Sequence, residues 1–156
     1  MTIEDDIDFL EKVPTLRVLG PTALRILAIG AENQSIPSGD TLFSAGDKAD
    51  AGYVIQQGSF RLKANPSEGD DKAAVAGPGS LLGEIAMLRD TVRPMTAVAA
   101  EESTVMRIPR SLFLKMLEGF PDAAQRLRNH LAARADRTAD EIRGVRTSLD
   151  PRMRGN

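Results

Sequence analysis

The apolar positions of this chain follow a helical period at both ends and a strand-like period in the middle. From Ile3 to Val13, and again after Pro21, apolar residues recur every three or four positions, which predicts two amphipathic helices. From residue 33 this period gives way to short runs of β-branched and aromatic residues, which are punctuated by glycine. These runs predict strands at 33–36, 41–44, 52–57, 59–64, 72–76, 96–99 and 103–109.

The helical period returns at Arg110 and predicts two further helices. The apolar residues of 110–118 share one face of a helix that ends at Gly119. Pro121 then starts a longer helix, whose apolar residues continue to Ile142 at spacings of three and four. The whole pattern predicts an α+β fold: N-terminal helices, evenly spaced strands that form a barrel or roll with a short helix inside it, and two C-terminal helices.

We expect one domain over residues 1–143. Its N-terminal helices, 1–30, pack on a β-roll formed by 31–109, and 110–143 forms a hinge and a lid. The thin, alanine-rich seam of the long helix fits either a lid on its own roll or a contact with a second copy in a homodimer. Residues 144–156 hold too few apolar side chains to offset the entropy of ordering, which predicts a mobile tail.

Residues 77–99, inside the predicted roll, combine turn glycines, a short helix start and an isolated arginine. The first amides of a helix lack intrahelical partners and attract a phosphate or carboxylate, and Gly83 leaves room for such an anion. Arg93 can close on the same anion with its planar guanidinium. Glu84 would be repelled by a phosphate, so we expect it to accept hydrogen bonds from sugar hydroxyls. A phosphate site beside a sugar site indicates a nucleotide.

The sequence G-E-I-A-M at 83–87, followed by R-P-M-T at 93–96, resembles the phosphate-binding cassette of the cyclic nucleotide-binding domain family. This family includes catabolite activator protein and the regulatory subunits of protein kinase A, and its pattern is G-E-[LI]-A-[LM] and, further on, R-x-x-T. The resemblance implies that Glu84 holds the ribose 2'-hydroxyl and that Arg93 binds the cyclic phosphate. It also implies that the backbone amides of the two residues after Glu84 add donors. For the fold, the resemblance implies an antiparallel, jelly-roll-like β-roll of about eight strands, with N-terminal helices, a short cassette helix and two C-terminal helices.

The same resemblance implies which residues form the ligand site. They are Leu82, Gly83, Glu84, Ile85, Ala86, Arg93, Pro94 and Met95. Arg134, Arg137 and Thr138 of the long helix are candidate contacts to the base. Pro94 departs from the family, because it offers neither an N–H nor a hydroxyl where Thr or Ser often favours guanine. We therefore expect cAMP as ligand in preference to cGMP.

Composition and charge exclude several other classes of protein. With 42% apolar residues, 27% charged residues and a formal net charge of −2, the chain is typical of a soluble globular protein without general attraction for nucleic acid. It has no cysteine, and we expect its single histidine, His130, on the polar side of the long helix, so neither a metal nor another cofactor is expected. Because the sequence also lacks a triphosphate-binding loop and a serine-hydrolase elbow, we do not expect an enzyme.

The predicted function is that of a stand-alone, bacterial-type cyclic nucleotide sensor. We expect it in the cytoplasm, since the sequence has neither a secretion signal nor a membrane-spanning stretch. Its C-terminal helices would pass ligand binding to a separate, unidentified protein partner. We do not expect direct nucleic acid binding, because Asn156 follows the long helix too soon for a helix-turn-helix domain. Two alternatives remain open: a ligand-free scaffold or interaction domain of the same fold, and the truncated sensory domain of a transcription regulator.

Overall fold

The structure is a computed structural model that describes residues 2–64 and 73–134. Its helices are α1 Ile3–Leu10, α2 Pro14–Arg17, α3 Pro21–Gly30, α4 Arg110–Gly119 and α5, which is described over 121–134. A 3-10 helix covers Ile85–Met87. The strands are β1 Glu32–Ile36, β2 Thr41–Phe43, β3 Lys48–Ala49, β4 Ala51–Gln57, β5 Phe60–Lys63, β6 Ala74–Ala76, β7 Leu81–Leu82, β8 Thr91–Val92, β9 Thr96–Ala99 and β10 Ser103–Pro109. The predicted tail 144–156 lies outside the described residues, as do Arg137 and Thr138.

In the described part of the chain, antiparallel sheets form the predicted β-roll. One sheet has the order β1-β10-β4-β7, another has the order β2-β9-β5-β6, and β3 pairs with β8. Apolar side chains from the two larger sheets meet in one cluster, where Ile55 of β4 packs with Phe60 of β5 and Ala97 of β9. The predicted α+β fold with an antiparallel roll is therefore confirmed.

Strand β4 lies between two apolar cores. Because alternate residues of a strand point to opposite faces, Tyr53 and Ile55 pack in the core between the sheets, whereas Val54 packs against the helices. The helical core includes Leu16 of α2 and Leu24 of α3, which are both fully buried. This strand thus joins the roll to the N-terminal helices.

The sequence around each N-terminal helix explains where the helix begins. Thr2 caps α1 through a capping box, in which its Oγ1 accepts the N–H of Asp5 at 3.1 Å and the Asp5 carboxylate accepts the N–H of Thr2 at 3.1 Å. Helices α2 and α3 each begin with proline, whose missing N–H would be unpaired there in any case. A threonine follows each of these prolines, and the two threonines differ in exposure: Thr15 is buried and Thr22 is exposed.

The pattern missed the shortest elements. The helix predicted from Ile3 to Val13 ends at Leu10, and the predicted connector contains α2, because Val13 takes the N-cap position of a new helix that starts at Pro14. The two-residue strands β3, β7 and β8 were not predicted, since two residues carry no periodic signal.

Two further observations concern residues 2–64 and 73–134. None of the helices in these ranges combines the length and the apolar character that a bilayer crossing requires. These ranges also hold no group of three or more His, Cys, Asp or Glu side chains that could bind a metal ion.

The turn between β4 and β5 generates a prediction about stability. Gly58 has φ +88°, and a Cβ there would overlap the Ser103 side chain and lie 2.8 Å from the carbonyl oxygen of Glu102. Gly39 has the same φ of +88° but faces open space, so it is a matched control. We expect Gly58→Ala to lower the free energy of unfolding by about 1–3 kcal/mol more than Gly39→Ala, measured by denaturant titration. Equal losses in the two variants would contradict the steric argument.

Candidate functional site

The cassette residues line a pocket of about 460 Å³, a volume within the usual range for small-molecule sites. The predicted site residues that line it are Leu82, Gly83, Glu84, Ile85, Ala86, Arg93, Pro94 and Met95, and helix α5 adds Arg134. Phe43 and Leu62 also line the pocket, although the sequence analysis did not single them out. Apolar residues in predicted strands are usually core residues, so no pattern in the sequence indicates that these two side chains line a pocket.

The cassette backbone turns sharply between β7 and the 3-10 helix. Gly83 has φ +80°, and Glu84 takes the N-cap position of the 3-10 helix. Within this turn the N–H of Ala86 donates to the carbonyl oxygen of Gly83 at 3.0 Å. The Ala86 amide is therefore already engaged, and it is a weaker candidate donor for a ligand than the resemblance implied.

Arg93 is a buried cation with only 4% of its surface exposed. Its Nη2 donates to the carbonyl oxygen of Ala51 at 2.8 Å, and its guanidinium carbon lies 4.4 Å from the ring centre of Phe43 and 5.4 Å from that of Tyr53. Burial lowers the pKa of Arg93, an effect that the nearby Tyr53 and Asp50 offset in part. The side chain still carries its charge at neutral pH, because the ordinary pKa of arginine is far higher.

The second guanidinium nitrogen of Arg93 lies against the backbone of Gly83. A Cβ at position 83 would overlap Nη1 of Arg93 and would lie 3.2 Å from the carbonyl oxygen of Ala51. Glycine is thus required here by the space as well as by the positive φ. Nη1 itself is buried and has no hydrogen-bond partner among the described residues. A buried, unpartnered cationic N–H group is costly unless a ligand pairs with it.

Glu84 connects three elements through its carboxylate. Its Oε2 accepts a hydrogen bond from Oγ1 of Thr15 on α2 at 2.9 Å, and both of its oxygens accept from Nη1 of Arg134 on α5 at 2.8 Å. The side chains of Glu84 and Arg134 are 25% and 45% exposed. Thr15 was not among the predicted site residues, because a threonine in a predicted connector gives no signal.

Helix α5 packs on the helical core through an apolar face. Ala123 and Leu127 are buried in the helical core, and Leu131 packs against it. His130 follows Leu127 by three positions and lies near the same face, where its Nε2 is buried without a partner among the described residues. The expectation that His130 lies on the polar side of the helix is therefore wrong.

Arg110, the first residue of α4, is bound to the end of the cassette. Its Nη1 contacts the carbonyl oxygens of Ala49, Ala86 and Arg89 at 3.0, 3.3 and 3.2 Å, and its Nη2 pairs with Asp90 at 2.6 Å. These contacts join the 3-10 helix and the residues directly after it to the start of α4.

Comparison with known proteins identifies the same region. A family model described as "Cyclic nucleotide-binding domain" matches residues 33–120. A cyclic nucleotide-binding-like protein from Brucella abortus has a solved structure that is 40% identical, with a TM-score of 0.63, and the match covers 73% of this chain and 98% of that one.

Two curated relatives are much longer than the matched region. The cyclic AMP receptor protein of Thermus thermophilus is 30% identical over 122 residues, which are 78% of this chain and 56% of that protein. Lysophospholipase nte1 of Neurospora crassa is 29% identical over 120 residues, which are 76% of this chain and 8% of that protein. The chain thus covers less than two thirds of either relative.

The environment of Arg93 predicts an unusual effect on stability. Arg93 is buried, and one of its nitrogens has no partner among the residues that the structure describes. Arg93→Met should therefore leave the free energy of unfolding of the ligand-free protein within about 1 kcal/mol of the parent value, or raise it. Arg110→Met is the comparison variant, since it breaks several hydrogen bonds of a guanidinium and should cost about 1–3 kcal/mol. Thermal or denaturant unfolding measures both. A larger loss from Arg93→Met than from Arg110→Met would contradict this description of the site.

Proposed function

The chain belongs to the cyclic nucleotide-binding domain family, and from this premise we propose that it is a sensor that binds cAMP in preference to cGMP. Binding is passed through α4 and α5 to a separate protein partner. The proposal gives the chain a binding role and no catalytic one. The Neurospora crassa relative is an enzyme by name, but this chain matches only 8% of its length.

The observation that carries the proposal is that Nη1 of Arg93 is buried without a partner in the described part of the chain. A cyclic nucleotide has one phosphate with a single negative charge, and a phosphate oxygen at this nitrogen would receive a charge-assisted hydrogen bond in a site of low dielectric. Nη2 already donates to the carbonyl oxygen of Ala51, which holds the guanidinium on one side and lowers the entropic cost of binding. Nη1 is buried against Gly83, so the cassette has to shift locally to open this nitrogen to the phosphate.

The carboxylate of Glu84 supplies the sugar end of the proposed site. Glu84 lines the same pocket as Arg93, and an ionised carboxylate can only accept hydrogen bonds, which suits a ribose hydroxyl. A carboxylate has about four acceptor positions, so the contacts from Thr15 and Arg134 leave room for the 2'-hydroxyl. These chemical roles support a ribose 3',5'-cyclic phosphate as the ligand class.

Pro94 and one relative support cAMP over cGMP. Pro94 lines the pocket directly after Arg93 and offers no hydroxyl or N–H for the polar edge of guanine. The Thermus thermophilus relative is named a cyclic AMP receptor protein.

The contacts of the C-terminal helices support a route for transmission. Arg110 joins the cassette to α4, and Arg134 joins Glu84 to α5. Ala123 and Leu127 of α5 are buried against the chain's own core, which favours a lid over a dimer seam for this part of the helix. A ligand that changes the pairing of Glu84 and Arg134 would shift α5 between two positions, one closed over the pocket and one open.

One observation favours the alternative of a ligand-free scaffold. Glu84 already has an ionic partner in Arg134 and a neutral one in Thr15, and Pro94 removes a possible phosphate donor. A scaffold would bind neither cyclic nucleotide.

Calorimetric titration with cAMP, cGMP and linear AMP tests the proposal. We expect the tightest binding for cAMP, and we expect Arg93→Met to lose at least about tenfold in affinity, because a hydrogen bond between charged groups contributes about 1.5–3 kcal/mol. Glu84→Gln should lose less, because it keeps an acceptor. Arg25→Met is the control, since Arg25 pairs with Glu4 on the surface outside the pocket.

Three results would count against the proposal. Binding of neither cyclic compound would favour the scaffold. Unchanged affinity in Arg93→Met would remove the phosphate assignment. A preference for cGMP would contradict the role given to Pro94.

Hydrogen exchange tests the route of transmission. We expect saturating cAMP to slow amide exchange in α5 over 121–134, because a lid held on the ligand opens less often. Strand β4, which is buried between the two cores, should show little change and serves as the internal control. Unchanged exchange in α5 with full occupancy of the site would contradict a role for this helix.

A further inference from the structure

We propose that Thr15, which lies on α2 outside the cassette, is a positioning residue for the sugar of the ligand. Its hydroxyl holds the carboxylate of Glu84 in the direction from which that carboxylate accepts the ribose 2'-hydroxyl. This inference rests on the proposed function, and it adds a residue of the N-terminal helices to the binding machinery.

The direction of the two hydrogen bonds at Thr15 follows from the chemistry of its partners. The ionised carboxylate of Glu84 has no proton to give, so the hydroxyl of Thr15 donates to Oε2 at 2.9 Å. The guanidinium of Arg134 can only donate, so the same hydroxyl accepts from Nη1 of Arg134 at 3.1 Å. The single proton of Thr15 is thus committed to Glu84.

The position of the Thr15 hydroxyl is fixed by the core around it. Thr15 is 7% exposed, and its neighbours Val13 and Leu16 are buried in the helical core. Pro14 starts the helix and fixes its own φ. A donor on so rigid an element holds its acceptor in one direction without a further loss of entropy.

Arg134 contacts the same carboxylate in a different way. Its side chain is 45% exposed, and it reaches Glu84 from α5, the proposed moving lid. Its Nη1 contacts both carboxylate oxygens and so competes with a sugar hydroxyl for them. Of the two carboxylate oxygens, Thr15 contacts only Oε2. When Arg134 shifts with the lid, Thr15 keeps the carboxylate oriented and leaves Oε1 for the ligand.

The structure offers a matched control for Thr15. Pro14-Thr15 starts α2 and Pro21-Thr22 starts α3, so both threonines are the second residue of a helix that begins with proline. Thr22 is exposed and does not line the cassette pocket. The pair of variants Thr15→Val and Thr22→Val therefore removes the same hydroxyl from equivalent helix positions, at and away from Glu84.

The test compares cAMP with 2'-deoxy-cAMP on the full chain by calorimetry. We expect Thr15→Val to lower the affinity for cAMP about tenfold, because the carboxylate of Glu84 is no longer held in the direction of the 2'-hydroxyl and the hydrogen bond to that hydroxyl is weakened. Thr15→Val and the parent protein should bind 2'-deoxy-cAMP with the same affinity, since this ligand has no 2'-hydroxyl for Glu84 to hold. Thr15→Ser keeps the hydroxyl and should restore the affinity for cAMP. Thr22→Val should bind both ligands as the parent does.

Each other outcome overturns the inference in a recognisable way. Equal losses for both ligands in Thr15→Val, or no rescue by Thr15→Ser, would show that Thr15 only supports the fold. Parent-like affinity of Thr15→Val for cAMP would show that Glu84 does not need it, and the proposed function would stand. If the parent protein binds no cyclic nucleotide, the proposed function fails and this inference fails with it.

Discussion

The guanidinium of Arg93 lies beside the rings of Phe43 and Tyr53 and donates one hydrogen bond to the carbonyl oxygen of Ala51. Its other terminal nitrogen is buried, lies against Gly83 and has no partner within residues 2–64 and 73–134. A buried cationic nitrogen without a partner lowers the stability of the ligand-free protein. The absence of a Cβ at Gly83 leaves the space that this nitrogen occupies.

Around this charge, three arginines connect the cassette and the N-terminal helices to the C-terminal part of the chain. Arg110 binds carbonyl oxygens at the end of the 3-10 helix, and Arg134 binds the carboxylate of Glu84. Arg126 of α5 donates to the carbonyl oxygens of Val18 and Leu19, just after α2. Planar guanidinium groups suit this task, because each can bind several acceptors at once. Glu84 and the 3-10 helix are thus in contact with elements that are distant in sequence.

The sequence was most informative where a signal is local. The helical periods, the glycine-punctuated strands and the cassette each depend on neighbouring residues, and the predicted fold is confirmed. Contacts across long separations could not be predicted: Thr15 and Glu84 are 69 residues apart, and the burial of Thr15 depends on how α2 packs. The face of α5 that holds His130 was predicted wrongly, because a single polar residue was assumed to lie on the solvent side. The roles of the cassette residues remain proposals.

The central claim is that the free nitrogen of Arg93 receives the phosphate of a cyclic nucleotide. The most direct measurement is a crystal structure of the full chain grown with cAMP. We expect a phosphate oxygen at about 2.7–2.9 Å from Nη1 of Arg93, the usual length of a charge-assisted hydrogen bond, while Nη2 keeps its bond to Ala51. A ligand whose phosphate lies away from Arg93, with Nη1 still unpartnered, would contradict the claim.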